Sequence, residues 1–358
     1  MSRTILNQGE GKTDDVPVSR HPLRARPNGY RPTRSKIEAA YVGNTGILLR
    51  ADCLDLLGSI RECTVDLAFV DPPFNLGKEY DSDFIDDMET EAYRSWCRAW
   101  LSELTRVLKP GGALFLYHLP RWLMEIGAWL NTIPALEYKS WIAMKMKSGF
   151  PIRSRIHPAH YGLLYYVKRG ARPTFNVVRH KTPTCRHCGK LVRDYGGYRK
   201  KFEKFEDADG VPWVQISDFW EDTRPARQDK TSGLQINELP VHIPERAILM
   251  ASNPGDVILD CFAGGGSTLH AAHRHERLWI GGEVGEPVAA LQRIATFIGE
   301  QETRDPGKKL LNCFTESQQA MLKVTVNGHK RPVGTVGKLD ELNEGMEKFA
   351  SKSKVMGF

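Results

Sequence analysis

The sequence predicts an α/β fold built on a mostly parallel sheet, and three observations carry that prediction. Short apolar runs alternate with longer stretches at helical spacing from about residue 46 to 168, and the alternation resumes from about 244 to 298. Two of the apolar runs end in chemically unusual loops, "DPPFN" after residue 70 and "CFAGGGS" after residue 260. Between the halves, residues 169 to 235 are basic, glycine-rich and aromatic without sustained periodicity, as expected of an insertion that serves another surface.

The elements follow in order. "GILLRADCLDLLGSI" gives a short strand near 46 to 50 and a short helix near 53 to 59, and "VDLAFV" a buried strand over 65 to 70. Over 89 to 108, Tyr93, Trp96, Cys97, Trp100, Leu101, Leu104, Val107 and Leu108 recur at helical spacing until "KPGG" stops them. "ALFLY" (113 to 117), a helix through "RWLMEIGAWL", and strands around "YKSWIAMKM" and "YGLLYYVK" complete the first half. The second half reads as a helix over 244 to 251, the strand "DVILD" (256 to 260), a helix from Ser267 to about His275, the strand "LWIGGE" (278 to 283) and a helix over 287 to 298. These readings divide the chain into a basic N-terminal arm (1–36), a first sheet half (37–168), the insertion (169–235), a second sheet half (236–300) and a polar C-terminal extension (301–358). The extension carries short candidate elements at "MLKVTV" and "LDELNEGMEKF" and no legible role.

Composition narrows the class. A chain of 358 residues with 41% hydrophobic residues can bury a sizeable core. Its seven scattered cysteines fit a reducing compartment better than a disulfide framework. No apolar run approaches the roughly 18 residues that span a bilayer, and the first twenty residues lack an export signal, so a soluble cytoplasmic protein is expected. The net charge of +7 is concentrated: residues 20 to 36 carry Arg20, Arg24, Arg26, Arg31, Arg34 and Lys36 with no acid. Residues 168 to 204 carry twelve Lys or Arg against Asp194 and Glu203. Two such blocks point to a polyanionic partner, against the alternative of a solvated tail and loop.

The chemistry is expected in the two loops. Asp71 follows an apolar strand, so it stands at the sheet edge where open α/β sheets hold their ligands. Pro72 and Pro73 stiffen the backbone and remove two donors, leaving the Pro72 carbonyl and the Asp71 carboxylate to accept hydrogen bonds from an amino group. An exocyclic amine on a base is a poor nucleophile until such bonds hold it in a geometry that frees its lone pair, and Phe74 can stack on that base. A base engaged so deeply must leave its duplex. In the second loop, Gly264, Gly265 and Gly266 permit close backbone approach before a helix N-terminus. The spacing is not that of a dinucleotide fingerprint, because Leu269 holds the place of its third glycine, nor is there a P-loop lysine. With Glu283 ending the next strand about twenty residues on, where it can bind ribose hydroxyls, the loop reads as a nucleoside site.

"ADCLDLL" (51–57), "DPPFNLGKEY" (71–80), "LDCFAGGGST" (259–268) and "WIGGE" (279–283), in this order, resemble the amino-group DNA methyltransferases that use S-adenosylmethionine. The arrangement is the circularly permuted beta class, with the catalytic tetrapeptide ahead of the cofactor loop, and the resemblance covers roughly 40 to 300. It implies a Rossmann-like fold with a seven-stranded sheet and a target-recognition region in the insertion. It further implies that Asp71, Pro72, Pro73 and Phe74 are catalytic, the Asp71 carboxylate and Pro72 carbonyl holding the target amine and Phe74 stacking on the flipped base. On the cofactor side it implies Phe262, Gly264 and Gly266 around S-adenosylmethionine and Glu283 at the ribose. Asp52 would meet the adenine, Asp260 the region near the methionine amino group, and Thr268 would support the loop. Where many members carry "HPTQKP", this chain has "NELPVHIPERAI", with Leu239 in place of their lysine and Asn237 as a weak substitute; Cys261 and Gly265 replace a frequent proline and serine.

The activity implied is methyl transfer to adenine N6 in double-stranded DNA, with cytosine N4 as the alternative and a non-catalytic DNA binder that keeps the fold as the alternative from another class. RNA, a protein glutamine and a nicotinamide cofactor fit less well. The resemblance also admits a homodimer and a cognate restriction endonuclease as partners. Cys185 and Cys188 stand at metal-ligand spacing, but no second pair accompanies them and His187 lies between them, so two reduced cysteines and no metal are expected, with a zinc knuckle as the alternative. His270, His273 and His275 lack the glutamate of a zinc helix, and His160 reads as an interior histidine with a base contact as the alternative.

Overall fold

A computed structural model describes residues 37–76, 87–145, 154, 156, 159–181, 187–189, 213–221, 239–298 and 306–328, the last five by backbone alone. The N-terminal arm, most of the insertion, Asn237, Cys185 and "LDELNEGMEKF" lie outside the described residues.

The first half contains strands β1 (Glu38–Val42), β2 (Gly46–Arg50), β3 (Val65–Val70), β4 (Leu108–His118), β5 (Leu136–Lys145) and β6 (His160–Lys168). Helices α1 (Cys53–Ser59), α2 (Thr90–Val107) and α3 (Pro120–Leu130) lie between them. The insertion contributes β7 (Arg179–Lys181), β8 (Trp213–Gln215) and β9 (Phe219–Trp220). There follow α4 (His242–Ala251), β10 (Val257–Asp260), α5 (Ser267–Arg274), β11 (Leu278–Glu283), α6 (Val288–Phe297), α7 (Lys308–Leu311) and α8 (Glu316–Gly328). Local chemistry sets the helix starts: Asp52 caps α1 by accepting from the Leu54 amide at 2.9 Å, Glu89 caps α2, and α3 opens on Pro120.

One sheet of nine strands runs in the order β1-β2-β11-β10-β3-β4-β6-β5-β9, and β7 pairs with β8 in a separate ribbon. The seven strands from β2 to β5 in that order form the predicted sheet, and β1 and the two-residue β9 extend its edges. From β2 across to β4 every pairing is parallel, whereas β6 runs antiparallel to both its neighbours. Such a sheet is buried on both faces, which is why β2, β3 and β10 are nearly uniformly apolar rather than alternating. One face packs against α1, α2 and α3 through Leu56, Trp96, Trp100, Leu104 and Trp122. The other packs against α4, α5 and α6 through Ile243, Ile248, Leu269, Ala290 and Ile294.

Two regions join this core without a strong sequence signal. Residues 306–322 bury Leu310, Cys313, Phe314 and Leu322 on the first face, where Phe314 forms a bridge to Ile60. In the insertion, Trp220 is buried on the second face while Phe219 beside it is 49% exposed, so β9 alternates as an edge strand should. Among the described residues no helix is long and apolar enough to cross a membrane.

The topology fixes the position of the two unusual loops. The chain moves from β3 to β4 in one direction across the sheet and from β10 to β11 in the other, so β3 and β10 flank a topological switch point. They are adjacent and parallel, with Leu259 paired to Ala68. Asp71 and Cys261 therefore leave the sheet at the same rim, although 189 residues separate Asp71 from Asp260.

Candidate active site

The loop after β3 is held from three sides. Pro72 is buried, and Asp71, Pro73, Phe74 and Asn75 are half-buried. The Tyr93 hydroxyl, from the first turn of α2, donates to the Pro73 carbonyl at 2.5 Å. The indole N–H of Trp122, from α3, donates to the Phe74 carbonyl at 3.0 Å. Asn75 adopts a positive φ of 55° and clasps Met88 with its side-chain amide, accepting from the Met88 N–H at 2.7 Å and donating to its carbonyl at 2.9 Å. Asparagine tolerates that backbone region better than most residues, which suits the loop's exit.

Behind the loop stands a histidine. His118 ends β4, is fully buried, and lies 2.7 Å from the Tyr93 hydroxyl through Nε2. The Leu119 N–H donates to its Nδ1 at 2.7 Å. Burial, reinforced by the Arg121 charge, lowers the His118 pKa to about 3, so the ring is neutral at physiological pH. Its face stacks on Phe74, with centroids 4.7 Å apart and planes at 23°. Tyr117 and Tyr161 complete an aromatic box, their centroids 5.9 and 6.1 Å from Phe74 and 5.2 Å from each other. Burial, with the Asp71 charge added, raises both phenol pKa values, so the two hydroxyls stay protonated beside the carboxylate.

The loop after β10 is organised differently, by acids and backbone amides. Asp260 is buried and accepts from the Phe262 N–H at 3.0 Å; the Thr268 hydroxyl also hydrogen-bonds it. Burial outweighs those bonds and raises its pKa to about 7, with Glu283 adding to the rise. Glu283 accepts from the Gly264 N–H at 2.8 Å and the Gly285 N–H at 3.2 Å. The Phe262 ring meets Trp96 and Trp100 edge-on at 5.7 and 5.2 Å.

Gly264 has φ of 49°, and a side chain there would meet, among the described residues, only the Phe262 carbonyl, at 3.9 Å, whereas one at Gly266, with φ of 78°, would press on Ala290 of α6 at 3.4 Å. Asp52, buried in the turn between β2 and α1, neighbours the Cys53 and Cys261 thiols. At Leu239, where the resemblance expects a lysine, the backbone carbonyl accepts from the Ser267 hydroxyl at 2.7 Å and so ties the entry of α4 to the glycine turn.

Every residue singled out in the two loops thus gathers at one rim, joined there by Asp52 and Glu283. Tyr93, Trp122, His118, Tyr117 and Tyr161 were not singled out. Tyr93 and Trp122 sit in helical apolar stripes that look like ordinary core. For His118 a signal existed: a polar residue ending an apolar strand that neighbours β3 arrives at the same rim as Asp71. His160 starts β6, but the ring facing Phe74 is that of Tyr161. His270 and His273 pack on Phe297, and His275 pairs with Glu245 at 2.7 Å.

The family model for DNA methylases matches residues 65–291. The chain is 38% identical over 286 residues to Type II methyltransferase M.BamHI from Bacillus amyloliquefaciens, which covers 80% of this chain and 64% of that relative. It thus spans a little under two thirds of that relative's length. Identity to the DNA adenine methyltransferase YhdJ of Escherichia coli (strain K12) is 28% over 275 residues, 72% of this chain and 82% of the relative. Among solved structures, the PvuII DNA methyltransferase (cytosine-N4-specific) shares the fold with a TM-score of 0.54 at 16% identity, over 84% of this chain and 99% of its own. The chain belongs to the S-adenosylmethionine-dependent amino-group DNA methyltransferases, and S-adenosylmethionine is the cofactor that this membership assigns to it.

Proposed function

We propose that the protein methylates an exocyclic amino group of a base in double-stranded DNA, adenine N6 being the leading target. The observation that carries the reading is the adjacency of β3 and β10, which brings the Asp71 loop and the glycine loop to one switch point. The acids fit a cationic nucleoside: Asp52, Asp260 and Glu283 converge there, and Gly264, where the nearest described contact of an added side chain would be the Phe262 carbonyl at 3.9 Å, is where such a ligand reaches the backbone. Phe262, Gly266 and Thr268 hold that turn in shape. When bound, S-adenosylmethionine supplies an activated methyl on a sulfonium.

On the other side of the crevice, Asp71 and the Pro72 carbonyl accept the two hydrogen bonds of the target amine and orient its lone pair. Pro73 keeps the backbone rigid, and Phe74 stacks on the base with the face turned away from His118. After transfer the amine's acidity rises, and Asp71 or water takes its proton. Catalysis on this account is positioning and electrostatics.

Adenine is favoured by the aspartate that heads the tetrapeptide and by the named activity of the 28%-identical relative. Cytosine N4 is the second reading, since a structure named for that specificity shares the fold. A modification role alongside a restriction endonuclease is part of the same proposal, and the relative named as a type II methyltransferase supports the methyl-transfer half of it.

Incubation with tritiated S-adenosylmethionine and unmethylated DNA tests the activity. Incorporation is expected, and DNA retention without incorporation would instead make the protein a binder. Sequencing DNA from cells that express it, with detection of modified bases, then reports N6-methyladenine or N4-methylcytosine and the target word.

A further inference from the structure

We infer that Tyr93 and His118 form a positioning relay that locks the Pro73 carbonyl, so that the loop offers the target amine the Pro72 carbonyl alone. The inference rests on the proposed methyl transfer and deepens it. Tyr93 and His118 are 1% and 0% exposed, and buried polar groups without partners are costly. Here each polar atom of the pair is engaged, and the Cys97 thiol, one turn along α2, also hydrogen-bonds with Tyr93. Because Nδ1 of His118 accepts the Leu119 N–H, the single proton of the neutral ring sits on Nε2. That proton goes to the Tyr93 oxygen, and the Tyr93 proton goes to the Pro73 carbonyl.

The consequence is a sorting of acceptors. Three carbonyls follow Asp71 in the tetrapeptide. Those of Pro73 and Phe74 are taken by Tyr93 and Trp122, whereas the Pro72 carbonyl takes no hydrogen bond among the described residues. Without the relay, the Pro73 carbonyl would need another donor and the loop could turn to find one, taking Asp71 with it. The imidazole also backs Phe74, so one residue sets both the acceptor and the stacking surface. The sequence hides this arrangement, since a tyrosine and a histidine 25 positions apart meet only through the packing of α2 on β4.

The side-chain chemistry supplies the test. In His118→Gln the amide nitrogen stands near the place of Nε2 and can still donate to Tyr93; in His118→Asn only an acceptor for Leu119 remains. Steady-state methylation of unmethylated plasmid DNA is measured for wild type, Tyr93→Phe, both His118 variants and the double variant Tyr93→Phe/His118→Asn. Cofactor affinity by calorimetry and thermal midpoints accompany each.

Tyr93→Phe and His118→Asn should each lower kcat about ten- to a hundredfold, leaving KM for DNA and cofactor Kd within about threefold. The double variant should lose no more than the worse single one, and His118→Gln should recover most of the loss. A Tyr93→Phe enzyme with wild-type kcat, or single losses that multiply in the double variant, would overturn the relay while leaving methyl transfer intact. A wild-type protein that transfers no methyl would overturn the proposed function, and the relay with it. Independently of any variant, nitrogen-15 spectra should show His118 as the Nε2–H tautomer at neutral pH, and an Nδ1–H signal would sink the relay.

Discussion

The two loops at the rim are built on opposite principles. The tetrapeptide loop is gripped by side chains from outside itself, Tyr93 and Trp122 on its carbonyls and His118 on its ring, while its own Asn75 reaches across to Met88. The glycine loop is tied through its backbone to strand-end carboxylates, with Asp260 and Glu283 accepting from amides of Phe262, Gly264 and Gly285, and outside groups meet it at the Phe262 ring, Gly266 and Ser267. A clamped loop keeps its acceptors in place before anything binds, which is what a positioning catalyst needs. A loop held by carboxylates whose bonds an arriving nucleoside can take over is suited to closing around a ligand.

That contrast breaks first at Asp71. Asp71→Ala removes a carboxylate from a loop whose backbone is fixed by other residues, so the fold and the cofactor side should not register it. Methyl transfer should fall by about a thousandfold or more, with cofactor affinity by calorimetry within about twofold of wild type. An equal loss of cofactor affinity would mean that the loops do not divide the work.

The complementary substitution is Gly264→Val. The φ of 49° is uncommon for any side chain and strained for a β-branched one, and the added atoms would project past the Phe262 carbonyl on the side of the proposed ligand. Cofactor affinity should weaken by about tenfold or more, while kcat at saturating cofactor changes less. If kcat alone fell and titration calorimetry found unaltered binding, Gly264 would not belong to the cofactor side.

The same contrast explains what was legible in the sequence. Buried parallel strands announce themselves by unbroken apolar runs, so β2, β3, β10 and β11 could be placed from residues alone. The two loops were visible because double proline and triple glycine are backbone demands written into residue type. The clamp was not, because a tyrosine hydroxyl or indole N–H in a helical stripe looks the same whether it meets a catalytic loop or any other carbonyl. Edge pieces were equally silent: β1 reads "EAAYV", half-buried along most of its length, β9 has two residues, and Phe314 reaches Ile60 from a polar stretch. Information that depends on contacts between distant segments is absent from local pattern, and most of the tetrapeptide's support is of that kind.

The gentlest test of the contrast is pH. Asp260 has its pKa raised from 3.8 to about 7 in the fold, with burial the main cause. Between those values the folded state holds a proton that the unfolded state has released, so the contribution of this group to stability falls as pH rises from about 4 to about 7. Above that range the ionised carboxylate stands buried among the Cys261 thiol and Glu283, and a cationic ligand nearby offsets the cost. If S-adenosylmethionine favours ionised Asp260, apparent affinity should rise up to about tenfold between about pH 6 and about pH 8, since the ionised fraction rises by that factor. Asp260→Asn keeps an acceptor for the Phe262 amide but has no charge to titrate, so its affinity should be weaker and flat over the same range. A wild-type profile as flat as that of Asp260→Asn would place the cofactor's positive charge away from Asp260, and the glycine loop would then hold its ligand through Glu283 and backbone amides alone.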